Sequence, residues 1–354
     1  GFKEIGNIAS LEKVLESYCP AFPIAIGHTR WATHGAATKL NAHPHFNQEA
    51  SIAIVHNGIL ENHASLREML KNRGYAFRSD TDSEVIAHLI SYFYEDNFLV
   101  AFQKALQLME GFWAIAAIHK DHPDQILATA RENPLAVALH AGTDEAFVSS
   151  DLNAFNRRDL DIFFLKNYEV ALIRQKGVHI FDKSSAELIK TPERIEIAQF
   201  ETSKKGYDHY MLKEIFEQPW AIRETILERF SLESGKIYFD GLAELQEQLS
   251  KTDKINLVAA GTSWHAGLVG KFLLEELARI PTEVDISSEF RYRKPIVNNN
   301  TVTMAITQSG ETADTIAAIR EARSLGSLTL SLSNVVGSMI TRETEGALYT
   351  HAGP

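Results

Sequence analysis

Ile255-Asn-Leu-Val-Ala-Ala-Gly-Thr-Ser263 is the stretch whose reading decides the architecture of the second half of the chain. Ile255 to Ala260 is apolar but for Asn256 and shows no alternation, the pattern of a strand covered on both faces. Gly-Thr-Ser then turns the chain, and Trp264 to Ala278 reads as a helix. The unit repeats downstream. Thr282 to Ile286 and Thr301 to Ile306 read as strands, Ala313 to Leu325 as a helix and Leu328 to Leu332 as a further strand. Regular strand–helix alternation predicts a parallel, doubly wound α/β sheet.

Upstream the period changes. Ile24 to Gly27, Ser51 to Val55, Gly111 to Ile118, Ile126 to Ala130, Ala146 to Val148 and Tyr168 to Ile173 read as short strands, with helices over Ser65 to Asn72 and Glu84 to Tyr94. That density predicts stacked sheets covered by helices. Tyr207 to Pro219, Ala221 to Arg229 and Leu242 to Leu249 read as a charged helical connector. The expected domains are therefore 1–195, 196–245 and 246–354. The chain opens at Gly1 without Met and closes just after an apolar, strand-like Leu348-Tyr-Thr, so it is expected to be an internal piece of a longer protein.

With 354 residues, 45% hydrophobic and 23% charged, the chain has the balance of an ordinary globular protein of about two domains. A net charge of −11 argues against a nucleic-acid partner, for which a basic stripe is expected. No run approaches the roughly 18 apolar residues that span a bilayer, no signal peptide opens the chain, and the single Cys19 forbids an intrachain disulfide. Cytoplasm without membrane attachment is expected.

Five features carry chemistry. His28-Thr-Arg-Trp-Ala-Thr-His-Gly35 places a cation, an indole, two hydroxyls and two imidazoles after a strand; Arg30 either holds an amino-acid carboxylate through its fork or makes a structural salt bridge over a core Trp31. Val55-His-Asn-Gly58 reads as a strand-to-helix corner, where Asn57 and Gly58 are either a plain turn or the two donors of an oxyanion hole. In Ser79-Asp-Thr-Asp-Ser-Glu84, Thr81 and Glu84 form a capping box; of Asp80 and Asp82, one matches the helix dipole and the other is left to receive a ligand ammonium or to match the dipole too. Six histidines, His28, His34, His43, His45, His56 and His63, crowd one region without ligand spacing or cysteine, so no metal is expected. Finally, Ala260-Gly-Thr-Ser263 and Thr307-Gln-Ser-Gly-Glu-Thr312 put hydroxyls and free N–H groups at two helix starts, suited to a phosphate monoester or to simple capping. No nucleotide P-loop or Gly-x-Gly-x-x-Gly occurs. Cys19, before Pro20 and without a flanking cation, reads as a quiet thiol.

Seven segments then occur in one order: His28 to Gly35, Asn41-Ala-His-Pro-His45, His56-Asn-Gly58, Thr81-Asp-Ser-Glu-Val-Ile-Ala-His88, Lys213-Glu-Ile-Phe-Glu-Gln-Pro219, Ser288-Glu-Phe-Arg-Tyr-Arg-Lys294 and Gln308-Ser-Gly-Glu-Thr-Ala-Asp314. In this set and order the chain resembles the glucosamine-6-phosphate synthase family, the glutamine:fructose-6-phosphate aminotransferases, over essentially its whole length. The resemblance implies a class II glutamine amidotransferase domain of N-terminal-nucleophile type, an αββα sandwich, followed by a sugar-isomerase (SIS) domain. It implies that Arg30 holds the glutamine carboxylate and Asp82 its ammonium, that Trp31, Thr33 and His34 belong to a glutamine loop with Trp31 near an internal ammonia gate, and that Asn57 and Gly58 form the oxyanion hole. Thr262, Ser263, Thr307, Gln308, Ser309 and Thr312 match the sugar-phosphate cradle. Implied partners are glutamine, fructose 6-phosphate and a second copy in a homodimer, with no cofactor. The family nucleophile is an N-terminal cysteine, whereas this chain begins with Gly1, and the second SIS module is missing. The parent protein is thus expected to make glucosamine 6-phosphate, and this piece alone to be inactive. The competing expectations are a catalytically dead phosphosugar-binding regulator and another class II amidotransferase.

Overall fold

The computed structural model describes all residues except 17–21, 31–34, 156–158, 176, 195–203, 228, 231–234 and 354, and the backbone alone of Asn153 and Asp240. The chain divides into two compact units, Gly1–Glu196 and Ile197–Pro354.

The first unit contains α1 (Ile8–Leu15), β1 (His45–Phe46), β2 (Ile52–Leu60), α2 (His63–Lys71), α3 (Ser83–Phe93), α4 (Phe98–Gln107), β3 (Gly111–His119), β4 (His122–Arg131), β5 (Ala136–His140), β6 (Ala146–Ser149), β7 (Leu160–Phe164), β8 (Val170–Arg174), β9 (Gly177–Phe181) and β10 (Glu187–Leu188). Its main sheet is antiparallel in the order β1-β2-β3-β4-β8-β9-β10, and a second sheet runs β6-β5-β7. Alternation along the strands sorts two cores. Trp113, Ile115 and Ala117 of β3 face a core with Leu66 and Leu70 of α2, Ile86 and Leu89 of α3 and Phe102 of α4. Ala114 of β3, Ala128 and Ala130 of β4 and Ala171 of β8 face the other way, packing with Val137 and Phe163 of the small sheet. Toward its partner sheet the main sheet thus offers Ala114, Ala128, Ala130 and Ala171 together with larger side chains such as Ile126, Ile173 and Ile180. Helices, large sheet and small sheet give three of the four layers that the resemblance implied; among the described residues no helix joins the core beyond the small sheet.

Two expectations need correction here. Residues 24–27 are not a strand: no hydrogen-bonded ladder forms along 22–30, and extended backbone without a partner is not a sheet. The strand expected to stop at Val55 continues to Leu60, for a reason given below.

The second unit contains α5 (Tyr210–Ile226), α6 (Gln246–Ser250), β11 (Lys254–Ala259), α7 (Gly261–Leu273), β12 (Thr282–Ile286), α8 (Ser287–Tyr292), β13 (Thr301–Thr307), α9 (Ala313–Ser324), β14 (Leu328–Ser333), α10 (Met339–Glu343) and β15 (Gly346–Tyr349). All five strands are parallel in the order β12-β11-β13-β14-β15. One face packs Val258 and Ala305 against Ile316 and Ile319 of α9 and Phe290 of α8; on the other, Gly267 of α7 sits over Leu257 and Ile306, where a Cβ would lie 3.1 Å from Val284.

The connector differs from its expected form. One helix, α5, runs through Pro219 instead of breaking there, and Leu242–Leu249 is divided between a 3₁₀ turn and α6. An interior proline removes one backbone hydrogen bond; the described helix nonetheless continues to Ile226. Helix α7 starts at Gly261, three residues early, and after Leu273 widens into a π turn that ends at Arg279, whose φ is +58°. Among the described residues no helix is long and apolar enough to cross a membrane.

Candidate functional site

In the first unit the chemistry gathers where β2 runs past the start of α3. Asn57 and Gly58 are not at a corner. They lie inside the ladder, Asn57 opposite Ala114 and Gly58 opposite Trp113, and the turn into α2 comes only at Glu61 and Asn62. Gly58 explains the difference. Its φ is +132°, and a Cβ there would lie 2.1 Å from the Phe112 carbonyl oxygen and 2.8 Å from Trp113 Cα, so only glycine lets β2 follow β3 past this point. Asn57 is exposed yet tied down three times. His28 Nε2 lies 2.6 Å from its Oδ1, its Nδ2 donates to Ser150 Oγ at 3.1 Å, and Asn133 Nδ2 donates to its main-chain oxygen at 3.0 Å.

Asp82 is buried and sits at the N-cap of α3. Its Oδ2 accepts the Leu60 N–H at 2.8 Å, and the neighbouring Ser83 Oγ lies 2.9 Å from His56 Nδ1, so strand and helix start are joined on both sides of Asn57 and Gly58. The capping box is only half formed. Thr81 Oγ1 accepts the Glu84 N–H at 3.4 Å, but the Glu84 carboxylate reaches back past Thr81 to the Arg78 and Ser79 N–H groups and the Ser79 hydroxyl. Burial alone would raise that carboxyl; hydrogen bonds from His88, Ser79 and Arg78 outweigh it and hold it at about 2. Arg67 clamps the same loop through the Ser79 and Thr81 carbonyls, at 3.0 and 2.5 Å.

Arg30 points its fork at main-chain oxygens, Nη1 to Ala36 and Nη2 to Gly35, both at 3.1 Å. Buried Asn41 links that segment to the acidic loop, donating to the Ala36 carbonyl at 3.1 Å and accepting the Asp80 N–H at 3.0 Å. Trp31, Thr33 and His34 lie outside the described residues, as does Cys19. The crowded histidines form a stack. The His43 ring lies 4.1 Å from that of His28 and 4.7 Å from that of His45, and neither His43 nitrogen has a hydrogen-bond partner. Burial, then Lys3, pushes His45 down to about 3, and burial with the adjacent imidazoles pushes His43 down as well. These rings are neutral at physiological pH. Among the described residues no group of three His, Cys, Asp or Glu is arranged to hold a metal.

In the second unit the strand order reverses between β11 and β13, and open parallel sheets bind ligands at the carboxyl ends of strands where this happens. The two hydroxyl-bearing segments of the sequence follow these two strands. A cavity of about 800 Å³ opens there, lined by Ser263, Thr307, Gln308, Leu332, Asn334 and Thr350 together with residues of α5 that include Glu214 and Glu217. Thr262 and Ser263 lie in the first turn of α7 and not in a loop before it, and Thr262 is exposed. In the second loop Thr307 Oγ1 accepts the Gly310 N–H at 3.1 Å, Ser309 Oγ accepts the Glu311 N–H at 3.2 Å, and Thr312 is the N-cap of α9 without a side-chain cap bond. Thr262, Ser309 and Thr312 do not line the cavity. Asn334, missed by sequence reasoning, does: its Oδ1 accepts the Thr350 hydroxyl at 2.9 Å and the Ala352 N–H at 2.7 Å, folding the chain after β15 over the opening. Its only sequence signal was its place at the end of β14, next to the switch point.

The first site can therefore hold opposite charges and stabilise a carbonyl oxygen, and the second can hold an anion with hydroxyls and helix N-termini; among the described residues no lysine or arginine lines its cavity. Residues 28–157 match the family described as a glutamine amidotransferase domain, and residues 248–354 match the SIS domain. Among curated relatives, isomerizing glutamine–fructose-6-phosphate aminotransferases from Clostridium acetobutylicum and Clostridium tetani are 45% and 46% identical, each over 99% of this chain and 57% of the relative. That of Methanosarcina acetivorans is 43% identical over all of this chain and 58% of its own length. The chain thus spans little more than half the length of the curated relatives it matches, and by its paired domains and these identities it belongs to the family of the glutamine–fructose-6-phosphate aminotransferases.

Proposed function

We infer that the chain supplies the glutamine-binding and sugar-phosphate-binding parts of an enzyme that converts glutamine and fructose 6-phosphate to glutamate and glucosamine 6-phosphate in the cytoplasm. The observation that carries this is the alignment of 99% of the chain, both sites included, with enzymes of that printed activity. In the glutamine site Asp82 takes the α-ammonium, and the Arg30 fork exchanges its bonds to Gly35 and Ala36 for the α-carboxylate. By the resemblance Trp31, Thr33 and His34 belong to the glutamine loop. The amide carbonyl then meets the Asn57 side chain and the Gly58 N–H, whose bonds strengthen as negative charge develops on that oxygen during attack by a thiol. Cys19, before Pro20 and without a flanking cation, is not assigned that role.

In the second site the resemblance assigns the phosphate to Ser309, Thr312, Thr307 and Gln308 at the start of α9, with Thr262 and Ser263 at the start of α7; of these Ser263, Thr307 and Gln308 line the described cavity. Glu214 and Glu217 disfavour an anion on the α5 side, which leaves the sugar hydroxyls to face them. Assay of the natural protein with glutamine and fructose 6-phosphate is expected to yield glutamate and glucosamine 6-phosphate in equal amounts, and none of the amino sugar from unphosphorylated fructose. Binding of fructose 6-phosphate with no glutamine turnover would support a phosphosugar-binding regulator instead.

A further inference from the structure

We propose that His28, Ser150 and Asn133 are positioning residues for the two oxyanion donors, setting the Asn57 side-chain amide and the Gly58 N–H in the one orientation that can receive a developing negative charge. The proposal rests on the glutaminase reading of this site.

A primary amide has one acceptor oxygen and two N–H donors, and an exposed asparagine can exchange them by turning about its last bond. At an oxyanion hole that turn is harmful, since it presents a carbonyl oxygen to an anion. The contacts around Asn57 oppose it once His28 carries its hydrogen on Nε2. Oδ1 can only accept, so the 2.6 Å contact is a hydrogen bond in that tautomer, and the turned amide would set its own N–H against the ring N–H. One N–H is held by Ser150 Oγ at the end of β6, and the second is left for a ligand.

Asn133 acts on the other donor. It hydrogen-bonds the Asn57 carbonyl oxygen at 3.0 Å, and that oxygen belongs to the same planar trans peptide as the Gly58 N–H. Fixing the oxygen fixes the N–H, which points the opposite way. Three side chains from three separate segments therefore set both donors, and a carbonyl oxygen arriving there finds them without further reorganisation.

Two measurements test this. In the natural protein His28→Phe, which removes the N–H, is expected to lower kcat for glutamine hydrolysis about 10- to 100-fold with KM changed less than about 2-fold, because Arg30 and Asp82 still hold the ends of the substrate. His28→Gln, which keeps a donor, is expected to recover most of that loss, and Asn133→Ala to cost less, about 3- to 10-fold in kcat. Equal losses in the Phe and Gln variants, or a loss confined to KM, would overturn the proposal. Nitrogen NMR of the wild-type His28 ring needs no variant to fold and no turnover: a proton on Nε2 is expected, and a proton on Nδ1 with Nε2 bare would overturn it. A wild-type protein with no glutaminase activity would instead defeat the proposed function, while the ring spectrum still decides the orientation of Asn57.

Discussion

The two units build their sites by opposite means. In the first, the proposed contacts are side chains, a buried carboxylate at Asp82 and a guanidinium at Arg30, beside the ring stack of His28, His43 and His45. In the second the proposed contacts come from the backbone, with two helix starts at the reversal point of a parallel sheet and hydroxyls around a cavity lined by no basic group among the described residues. The difference follows the chemistry of what each would bind. A free amino acid carries a charge at each end and needs two opposite partners at a set distance, whereas a phosphate monoester is served by several N–H and O–H donors converging on one centre. Side-chain sites are correspondingly sensitive to single substitutions and to pH; backbone sites are not.

The largest effect expected from this contrast is Gly58→Ala. Its Cβ would collide with the Phe112 carbonyl and Trp113 Cα, backbone atoms that cannot swing aside, so a loss of more than about 3 kcal/mol from the first unit is expected by denaturant titration. Gly310→Ala in the second unit meets the Ser338 side chain, at 2.0 Å from its Oγ, and replacing Ser338 by Gly as well is expected to restore part of the loss. A mild Gly58→Ala would mean that β2 does not follow β3 as described.

Next come the charged partners. Arg30→Met or Asp82→Asn is expected to raise KM for glutamine on the order of 100-fold while fructose 6-phosphate binding is unchanged. Single hydroxyl deletions in the other site, such as Ser309→Ala or Thr312→Val, are expected to weaken fructose 6-phosphate by about 10-fold or less, since each removes one donor among several. A hydroxyl deletion as damaging as Arg30→Met would erase the contrast.

The smallest effect is on stability against pH. His43 and His45 are held below their ordinary 6.5, His45 at about 3, so the unfolded chain binds protons that the folded unit refuses. Their contribution is complete above about pH 6.5 and falls as pH drops toward 3. In the second unit burial would raise the Glu343 carboxyl, but Arg320 and Arg323 outweigh it and hold it below its ordinary 4.5, so its contribution is lost only as pH falls below 4.5. Between pH 7.5 and 5.5, amide protection along β2 is therefore expected to fall while that along β13 holds, checked by hydrogen exchange corrected for intrinsic rates.

How much of this was legible in the sequence also divides by unit. The parallel sheet was readable almost strand by strand, because uninterrupted apolar runs such as Leu328 to Leu332 alternate with helices and leave few topologies. The short α8 and α10 were missed, since five or six residues carry little periodicity. In the first unit the core strand Gly111 to Ile118 was legible, but the continuation of β2 through Asn57 and Gly58 was not. Asn-Gly is a turn signal, and only the long-range pairing with β3 overrides it. The candidate site residues Arg30, Asn57, Gly58, Asp82 and the hydroxyl loops were singled out from local composition, and their proposed roles came from the resemblance. Arg67, Asn133 and Ser150 act through contacts distant in sequence, and nothing local marks them; Asn41 was marked only as the first residue of a family segment.

The most direct test of the account is a calorimetric titration of fructose 6-phosphate into the natural protein, its Arg30→Met variant and a Ser309→Ala, Thr312→Val double variant. The account predicts unchanged affinity for Arg30→Met and a loss of at least about 10-fold for the double variant, with fructose itself bound on the order of 100-fold more weakly than its phosphate. Equal affinity for fructose and fructose 6-phosphate, or a double variant that binds like the wild type, would contradict it.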